Sequence, residues 1–372
     1  MKFTIDGSLL STVISELHKV CASRSVIPIL SGIKIEASNE GLKLTGGNSE
    51  LFIETTIPTN TDSLKVLEGG SVVIQSKYFS ELLKKLPAKV HIQSGSNNEI
   101  VIKSGEIVTK IPGFDANEYP KLPDVNSQQI VKLRLGILKD TIKQTLFAVA
   151  KNDAKPVLEG VRIELAKGKL ICVATDSNRL ARCEVNVSSD LTEAIVVPKA
   201  SLLEVLSSKE NDNTIIEITL GNRFLTMKIG STKMISALIE GNYPNTETLI
   251  PTAYISTITM NRKNLLAGIE RACIFSGALK HNNVHLKLSE NGSMKIASSS
   301  TEIGMIEESQ KIVEMQGNDF DITLDGKYLA EAIKAIHEED VTFQYNGSMR
   351  PILIRPAQSR SYVQLISPRR TH

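Results

Sequence analysis

The chain repeats one pattern of elements three times, and this threefold repeat constrains its fold more than any other feature. Apolar residues at helical spacing recur about 125 residues apart, and self-similarity at a fixed period is the signature of a duplicated structural unit. A first helix is predicted in each unit over 8–20, 136–149 and 261–275. A second helix is predicted over 76–86, 198–206 and 325–336.

Strands with alternating apolar residues are predicted between these helices. In the second unit the runs 216–220 and 225–229 flank Gly221-Asn222, and in the third Asn346-Gly347 separates two similar runs. Such dipeptides tolerate positive φ and predict β-hairpins. Proline-containing exits over 113–123 and 240–251 predict linkers. We therefore predict an α+β protein of three units, 1–125, 126–252 and 253–372, each with two helices packed on antiparallel sheets.

Composition narrows the classes of function. The chain has 43 basic and 41 acidic residues, and a net charge of +2 implies no particular partner. Aromatic residues make up 4% and Trp is absent, which is unusual for a protein that stacks bases on aromatic side chains. The four cysteines form no CxxC pair, and neither a secretion signal nor an apolar run of membrane-spanning length is found. We expect a cytoplasmic protein that does not contact membranes.

No catalytic motif supports an enzyme. The sequence has no phosphate-binding loop, dinucleotide-binding, zinc-protease or nucleophile-elbow motif. His281 and His285 have the spacing of metal ligands on a helix, but they stand where a loop is predicted to enter a strand, which favours solvated histidines. Asp176 is interpreted as a structural residue at a turn, and no helix with base-reading side chains indicates a sequence-specific regulator. We expect neither a cofactor nor a metal.

Several stretches, in order along the whole chain, resemble the β subunit of bacterial DNA polymerase III, the sliding clamp family. They are 23–35, 81–87, 155–164, 173–181, 196–202, 241–244, 349–356 and 363–371. The resemblance implies a processivity factor: a head-to-tail homodimer whose six units form a ring around duplex DNA, with helices lining the hole and sheets forming the outer wall. The implied partners are the DNA polymerase III core, the clamp loader and other proteins with a clamp-binding motif.

The resemblance also places DNA-contacting residues on the inner helices and adjoining loops. Positive side chains there attract the phosphate backbone without reading its sequence, so the contacts of a sliding protein should be weak and rich in water. The residues expected to contact DNA are Arg24, Lys77, Lys84, Lys85, Asn152 and Lys199.

A second implied site is a groove between units two and three that takes an apolar side chain of a partner peptide. Its expected residues are Leu158, Thr175, Ser177, Leu180, Pro244, Leu249, Leu365, Ser367 and Arg370.

Four residues of this region depart from the family's pattern. Ser177 stands where Gly is favoured, Asn178 where His is favoured, and Ser367 where a large apolar residue is favoured, while Arg369 replaces a small or apolar residue. These changes predict a more polar and more basic groove that prefers peptides with acidic residues beside the apolar anchor. They leave open an alternative, a divergent second clamp that serves a specialised polymerase or plasmid or phage replication.

The third implied site is the seam of the dimer. An apolar wedge at the end of the first helix of unit three is expected to meet strands 99–111 of unit one, because an exposed strand edge invites pairing. The expected interface residues are Ile100, Ile102, Lys103, Val108, Lys110, Ile274, Phe275, Glu302, Glu307 and Glu308.

Overall fold

The computed structural model describes residues 1–21, 27–59, 62–87, 89–95, 97–125, 130–276, 282–289 and 292–369. Its contacts divide the chain into two compact units. The first compact unit is Met1–Leu135 with Glu210–Leu238, and the second is Gly136–Lys209 with Ile239–His372. The strands of the second repeat are thus shared between the two units. None of the helices in the described residues has the length and apolar character needed to cross a lipid bilayer.

The first repeat begins with a strand that leads directly into a helix. Asp6 caps this helix, because its carboxylate accepts hydrogen bonds from the amides of Ser8 (2.9 Å) and Leu9 (3.0 Å), donors that the first turn leaves unpaired. The elements of this repeat are β1 (Lys2–Asp6), α1 (Gly7–Val20), β2 (Gly32–Ser38), β3 (Gly41–Gly47), β4 (Leu51–Pro58), β5 (Leu64–Glu68), β6 (Gly70–Gln75), α2 (Ser76–Leu83), β7 (Lys89–Ser94), β8 (Glu99–Ser104) and β9 (Ile107–Pro112).

The second repeat has nearly the same order, but its first helix ends before the predicted residue 149. The hydroxyls of Thr141 and Thr145 bond back to the carbonyls of Ile137 (2.7 Å) and Thr141 (2.9 Å), and a 3-10 turn follows over Leu146–Ala148. The elements are β10 (Ile130–Arg134), α3 (Leu135–Thr145), β11 (Gly160–Ala166), β12 (Lys169–Thr175), β13 (Arg179–Asn186), β14 (Glu193–Pro198), α4 (Lys199–Ser207), β15 (Ile215–Leu220), β16 (Phe224–Ile229) and β17 (Thr232–Ala237).

In the third repeat, too, each helix directly follows a strand. Asp325 caps the second helix by accepting from the amides of Lys327 (3.0 Å) and Tyr328 (3.2 Å). The elements are β18 (Ser256–Asn261), α5 (Arg262–Ser276), β19 (Asn283–Ser289), β20 (Ser293–Ser300), β21 (Gly304–Lys311), β22 (Glu314–Gly317), β23 (Asp321–Asp325), α6 (Gly326–Lys334), β24 (Asp340–Tyr345), β25 (Ile352–Pro356) and β26 (Tyr362–Ile366).

Two antiparallel sheets form the first compact unit. One has the order β5-β1-β7-β8-β9, and the other has the order β10-β15-β16-β17-β4-β3-β2-β6. The second sheet joins two repeats through the pairing of β17 with β4, in which Ile235 lies opposite Phe52. Both residues are buried in one apolar cluster with Leu30, Val73 and Tyr119. Burial of this cluster stabilises the junction between repeats.

The second compact unit has the same plan. Its sheets have the orders β14-β11-β12-β13-β26-β25-β24-β18-β22 and β21-β20-β19-β23. The larger sheet joins repeats two and three through the pairing of β13 with β26, in which Leu180 lies opposite Leu365. The two junctions have the same form. The last strand of one repeat, β17 or β26, pairs with an inner strand of the repeat before it, β4 or β13.

The predicted helices and hairpins are confirmed, but the positive φ expected at one of the hairpin turns is not found. Gly347 has a φ of 120°, as expected, whereas neither Gly221 nor Asn222 has a positive φ. There the chain turns through a longer loop, closed by a hydrogen bond from the Gly221 amide to the Phe224 carbonyl (3.0 Å). The unit boundaries near residues 125 and 252 stay predictions.

Candidate functional site

The predicted groove has an apolar floor in the second compact unit. Val173, Leu180, Leu353 and Leu365 form one buried cluster, and all lie on the same face of the nine-stranded sheet. Partly buried side chains from the chain after β17, Tyr243, Ile250 and Tyr254, pack against them together with Ile171 and Val363. The floor is therefore a continuous buried apolar cluster at the junction of β13 and β26.

One wall of the groove is a tight turn between β12 and β13. The Asp176 carboxylate accepts hydrogen bonds from the amides of Asn178 and Arg179, both at 3.0 Å, and the Thr175 hydroxyl donates to the Arg179 carbonyl at 2.6 Å. Ser177 has a φ of 71°, in the left-handed region that favours glycine. A glycine at this position would adopt the same backbone without strain.

The other wall is the C-terminal tail. The Ser367 amide donates to the Asn178 carbonyl at 2.8 Å, which ties the tail to the turn, and the Arg369 amide donates to the Thr323 carbonyl at 2.8 Å. The Arg369 guanidinium bonds the Asp325 carboxylate at 2.9 Å. Arg369, which is expected to make the groove more basic, thus has its charge paired within the chain. Arg370 lies outside the described residues.

Arg179 holds the turn against its surroundings, and sequence reasoning missed it. Its side chain is only 8% exposed and donates to the Asp176 carboxylate at 3.0 Å, to the Glu331 carboxylate and to the Phe147 carbonyl. Its guanidinium also lies 4.1 Å from the centre of the Tyr328 ring. The spacing Asp176-x-x-Arg179 was the available signal, since it places a carboxylate and a guanidinium at the two ends of one turn.

The remaining groove residues adjoin the floor through Tyr243. Leu158 is 1% exposed in a neighbouring cluster against which Tyr243 also packs, and Pro244 follows Tyr243 directly. Burial raises the pKa of the Tyr243 hydroxyl, which stays protonated and donates to the Val173 carbonyl at 3.3 Å. Leu249 is 53% exposed. The structure thus collects the described groove residues in one region, where Ser177 and Leu249 are exposed.

The residues expected to contact DNA lie at the ends of second helices or in loops. In the first compact unit Lys77, Lys84 and Lys85 are exposed on α2 or just after it. In the second unit Asn152 is exposed in the loop after the 3-10 turn, with a φ of 52°. Arg24 lies outside the described residues. These positions leave the described cations open to a polyanion.

Lys199 belongs to a small group of positive charges in the second compact unit. Partial burial lowers the pKa of its ammonium, and repulsion from Lys151 and Arg179 lowers it further, while Glu331 opposes the shift. Lys151, which sequence reasoning did not select, contributes to this repulsion. A phosphate group near these cations would relieve their repulsion.

The strands proposed for the seam differ in how accessible they are. β9 is the edge of the five-stranded sheet, and β21 is an edge of the four-stranded sheet. Val108 on β9 is 58% exposed and Lys110 is exposed, as is Lys103 on β8. Ile100 and Ile102 on β8 are 0% and 1% exposed. Their side chains pack in the core of this sheet, so any part they take in the predicted interface would not be through exposed side chains.

On the third repeat the seam residues have intramolecular partners. Ile274 is 66% exposed at the end of α5 and Phe275 is half-buried. Glu307 pairs with Lys295 at 2.7 Å, and Glu308 accepts two hydrogen bonds from Arg271, at 2.8 and 2.7 Å. Glu302 is exposed, and its amide bonds the Ser300 hydroxyl.

The histidine spacing noted in the sequence does not form a metal site in the described residues. His285 lies in β19, where its ring nitrogens contact the Thr323 hydroxyl (3.1 Å) and the Asp321 carboxylate (3.0 Å). His281 lies outside the described residues. No cluster of three possible metal ligands is found among the residues that the structure describes.

Three repeats, joined by sheets that run from one repeat into the next, define a DNA-clamp fold. Family models of the DNA polymerase III beta subunit match the chain in order: the N-terminal domain over residues 1–123, the central domain over 132–245 and the C-terminal domain over 247–370. The chain belongs to the DNA polymerase III beta subunit family, the sliding clamps of DNA replication.

Individual relatives agree with this assignment over their whole length. The "Beta sliding clamp" of Bacillus subtilis is 34% identical over 100% of both chains, and that of Staphylococcus aureus is 33% identical over 100% of both. The crystal structure of the DNA polymerase sliding clamp from Bacillus subtilis superposes with a TM-score of 0.97, covering 100% of both chains at 34% identity. The DNA polymerase III beta chain from Streptococcus pneumoniae gives 0.96, with 30% identity and 100% coverage of both.

These matches confirm the predicted family, fold class and function. The chain is a sliding clamp of DNA replication, and this family is a non-enzymatic processivity factor. The alternative of a divergent second clamp is not favoured, since all three domain models match and the relatives named beta sliding clamps align over the whole chain. The individual residues assigned to DNA, peptide and dimer contacts stay predictions.

Proposed function

We propose that two copies of this chain close head to tail into a ring around duplex DNA and that the groove tethers proteins to it. The relatives are named beta sliding clamps, and the family is that of a DNA polymerase subunit, which supports DNA and a polymerase as partners. A closed ring holds DNA topologically, so tight binding to the phosphates is not required. The described cysteines are free thiols, which fits a reducing compartment, and we place the protein in the cytoplasm.

Two strand edges support the closure of the ring. β4, β13 and β21 occupy equivalent places in the three repeats, and so do β17, β26 and β9. Within the chain β4 pairs with β17 and β13 pairs with β26, while β21 and β9 are left as edges. Repetition of the same junction between two copies would pair β21 of one with β9 of the other. This unused pair of edges is the observation that carries the proposal.

The internal junctions also fix the register of the proposed pairing. Gly32, Gly160 and Asn283 are the equivalent first residues of β2, β11 and β19. Following the residue pairing from these residues across the next two strands of each sheet makes Met305 equivalent to Phe52 and Leu180. The same procedure, started from the last residues of β1, β10 and β18 before the first helices, gives the equivalent residues of the other strand. It places Lys110 where Ile235 and Leu365 stand. Met305 should therefore lie opposite Lys110, and Glu307 opposite Val108.

The apolar character of the floor supports peptide binding in the groove. A buried apolar cluster bordered by half-open walls suits one large apolar side chain of a partner, held by hydrogen bonds to the walls. Exposed Leu249 and the tail residue Ser367 give that side chain an entry. We assign this site to the DNA polymerase III core, the clamp loader and other proteins that carry a clamp-binding motif.

The ring is tested by its topology. Clamps loaded onto nicked circular DNA by the loader of the same cell should stay bound during gel filtration, and cutting the circle once should release them. Direct binding to short DNA without a loader should be weak, alike for different sequences, and lost as salt rises. Retention on linear DNA, or strong preference for one base sequence, would contradict the proposal.

A further inference from the structure

We propose that closure of this ring depends on apolar contacts and strand pairing and is nearly insensitive to salt. The inference rests on the proposed head-to-tail ring and concerns what holds its two edges together. The acidic and basic side chains that flank the edges are largely neutralised inside each chain. Closing the ring then creates few new charge pairs for salt to screen.

The acidic residues of β21 have partners in their own repeat. Glu307 is paired with Lys295 on β20 at 2.7 Å, and Glu308 forms a two-point contact with Arg271 on α5. In the proposed register Glu307 faces Val108 and Glu308 faces Ile107, neither of which carries charge. Glu302 would lie beside Gly113, which also carries none. No carboxylate of this edge is thus placed directly opposite a cation, and Lys110, the diagonal neighbour of Glu307 in this register, already pairs with Glu99 in its own chain.

The charge on β9 itself is similarly accounted for. Lys110 is paired with Glu99 at 3.3 Å, and the remaining residues from Ile107 to Ile111 are uncharged. Lys103 lies opposite Val108 on the inner strand β8. In the proposed ring it would be separated from Glu307 by two strand spacings, about 10 Å, which is close to the Debye length in 0.1 M salt. Its attraction to Glu307 is therefore largely screened.

Exposed apolar side chains supply the closing free energy instead. Val108 is 58% and Met305 is 73% exposed, and the register makes them diagonal neighbours on one face of the joined sheet. Ile107 on the other face is 41% exposed, and Ile274 at the end of α5 is 66% exposed. Such large exposed apolar groups on both edges are what a second copy of the chain would cover.

Sedimentation of the full chain at 0.1 M and 0.5 M NaCl tests the inference. The dissociation constant of the dimer should change by less than tenfold between the two salts. A dimer at 0.1 M whose dissociation constant rises more than tenfold would overturn the inference and leave the ring intact. A chain that is monomeric at micromolar concentration in both salts would instead contradict the ring itself.

A gain-of-charge variant tests the register. Val108→Arg places a cation opposite Glu307, so its dimer should be tighter than the wild type at 0.1 M NaCl and should lose that gain at 0.5 M. Ile130→Arg adds the same charge on β10, where Ile130 is 49% exposed, and β10 is not one of the two strands proposed to pair, so this variant should respond to salt as the wild type does. Equal salt responses of the two variants would overturn the register and with it the inference.

Discussion

The guanidinium of Arg179 stacks on the ring of Tyr328 at 4.1 Å, and the same side chain is hydrogen-bonded to carboxylates on the turn before it and on α6. The contact joins the turn that forms one wall of the groove to the helix that anchors the tail. Arg369 lies 5.9 Å from the same ring. Both walls of the groove therefore depend on one stack of side chains.

Replacing Arg179 should weaken both stability and peptide binding. Arg179→Met leaves the Asp176 and Glu331 carboxylates without their cation, and removing one partner of a buried ion pair typically costs about 3–5 kcal/mol. Arg179→Lys keeps the charge but loses the planar stack, so it should recover only part of the loss. Urea unfolding and peptide titration measure the two effects. As a control, Arg134→Met removes an exposed arginine of β10 in the first compact unit and should leave peptide affinity unchanged.

The left-handed backbone of Ser177 predicts a stabilising substitution. Ser177→Gly removes a side chain from a φ of 71° and should raise the free energy of unfolding by about 0.5–1 kcal/mol. Ser367→Gly, at a residue without positive φ, should lower it, because the added backbone freedom favours the unfolded chain. Thermal or urea unfolding decides. If Ser177→Gly destabilises the protein, the hydroxyl must make a contact that outweighs the backbone strain.

Regular local patterns made the helices and hairpins predictable from the sequence, whereas the pairing of strands that lie far apart in the sequence was not predictable. The pairing of β17 with β4 joins residues more than a hundred positions apart, and no local signal specifies it. The burial of Ile100 and Ile102 had a signal in the sequence. Their alternate spacing in β8 assigns both to one face of a strand, and a strand between β7 and β9 turns that face to the core. The pairing of Arg369 with Asp325 needed the fold, because 44 residues separate the two.

The small side chain of Ser367 predicts weak binding of standard apolar clamp-binding peptides. Ser367→Leu adds apolar surface to the wall of the groove and should tighten such a peptide by about 1 kcal/mol, roughly fivefold in Kd. An acidic residue beside the anchor should gain little from Arg369, since Asp325 already holds that guanidinium. Calorimetric titration of a neutral and an acidic peptide compares the two effects. An unchanged affinity in Ser367→Leu would mean that the tail does not line the groove.

The apolar wedge at the end of α5 should decide whether the chain dimerises. Ile274→Ala together with Phe275→Ala removes two large side chains whose burial is worth about 1.5–3 kcal/mol each. The double variant should sediment as a monomer at concentrations where the wild type is a dimer. Ile215→Ala, at an exposed residue of β15 in the interior of its sheet, serves as the control and should not change the association state.

The pairing of Glu308 with Arg271 predicts a pH dependence of stability. The guanidinium hydrogen bonds hold the pKa of Glu308 below the 4.5 of a free glutamate, against a smaller opposing effect of burial. A carboxyl whose pKa is lower in the folded state stabilises the fold above its unfolded pKa, and this contribution is lost as pH falls through the folded value. The wild type should therefore lose more unfolding free energy between pH 7 and pH 3 than Glu308→Gln does. Urea unfolding across this range provides the measurement, and parallel curves for the two proteins would show that the ion pair does not stabilise the fold.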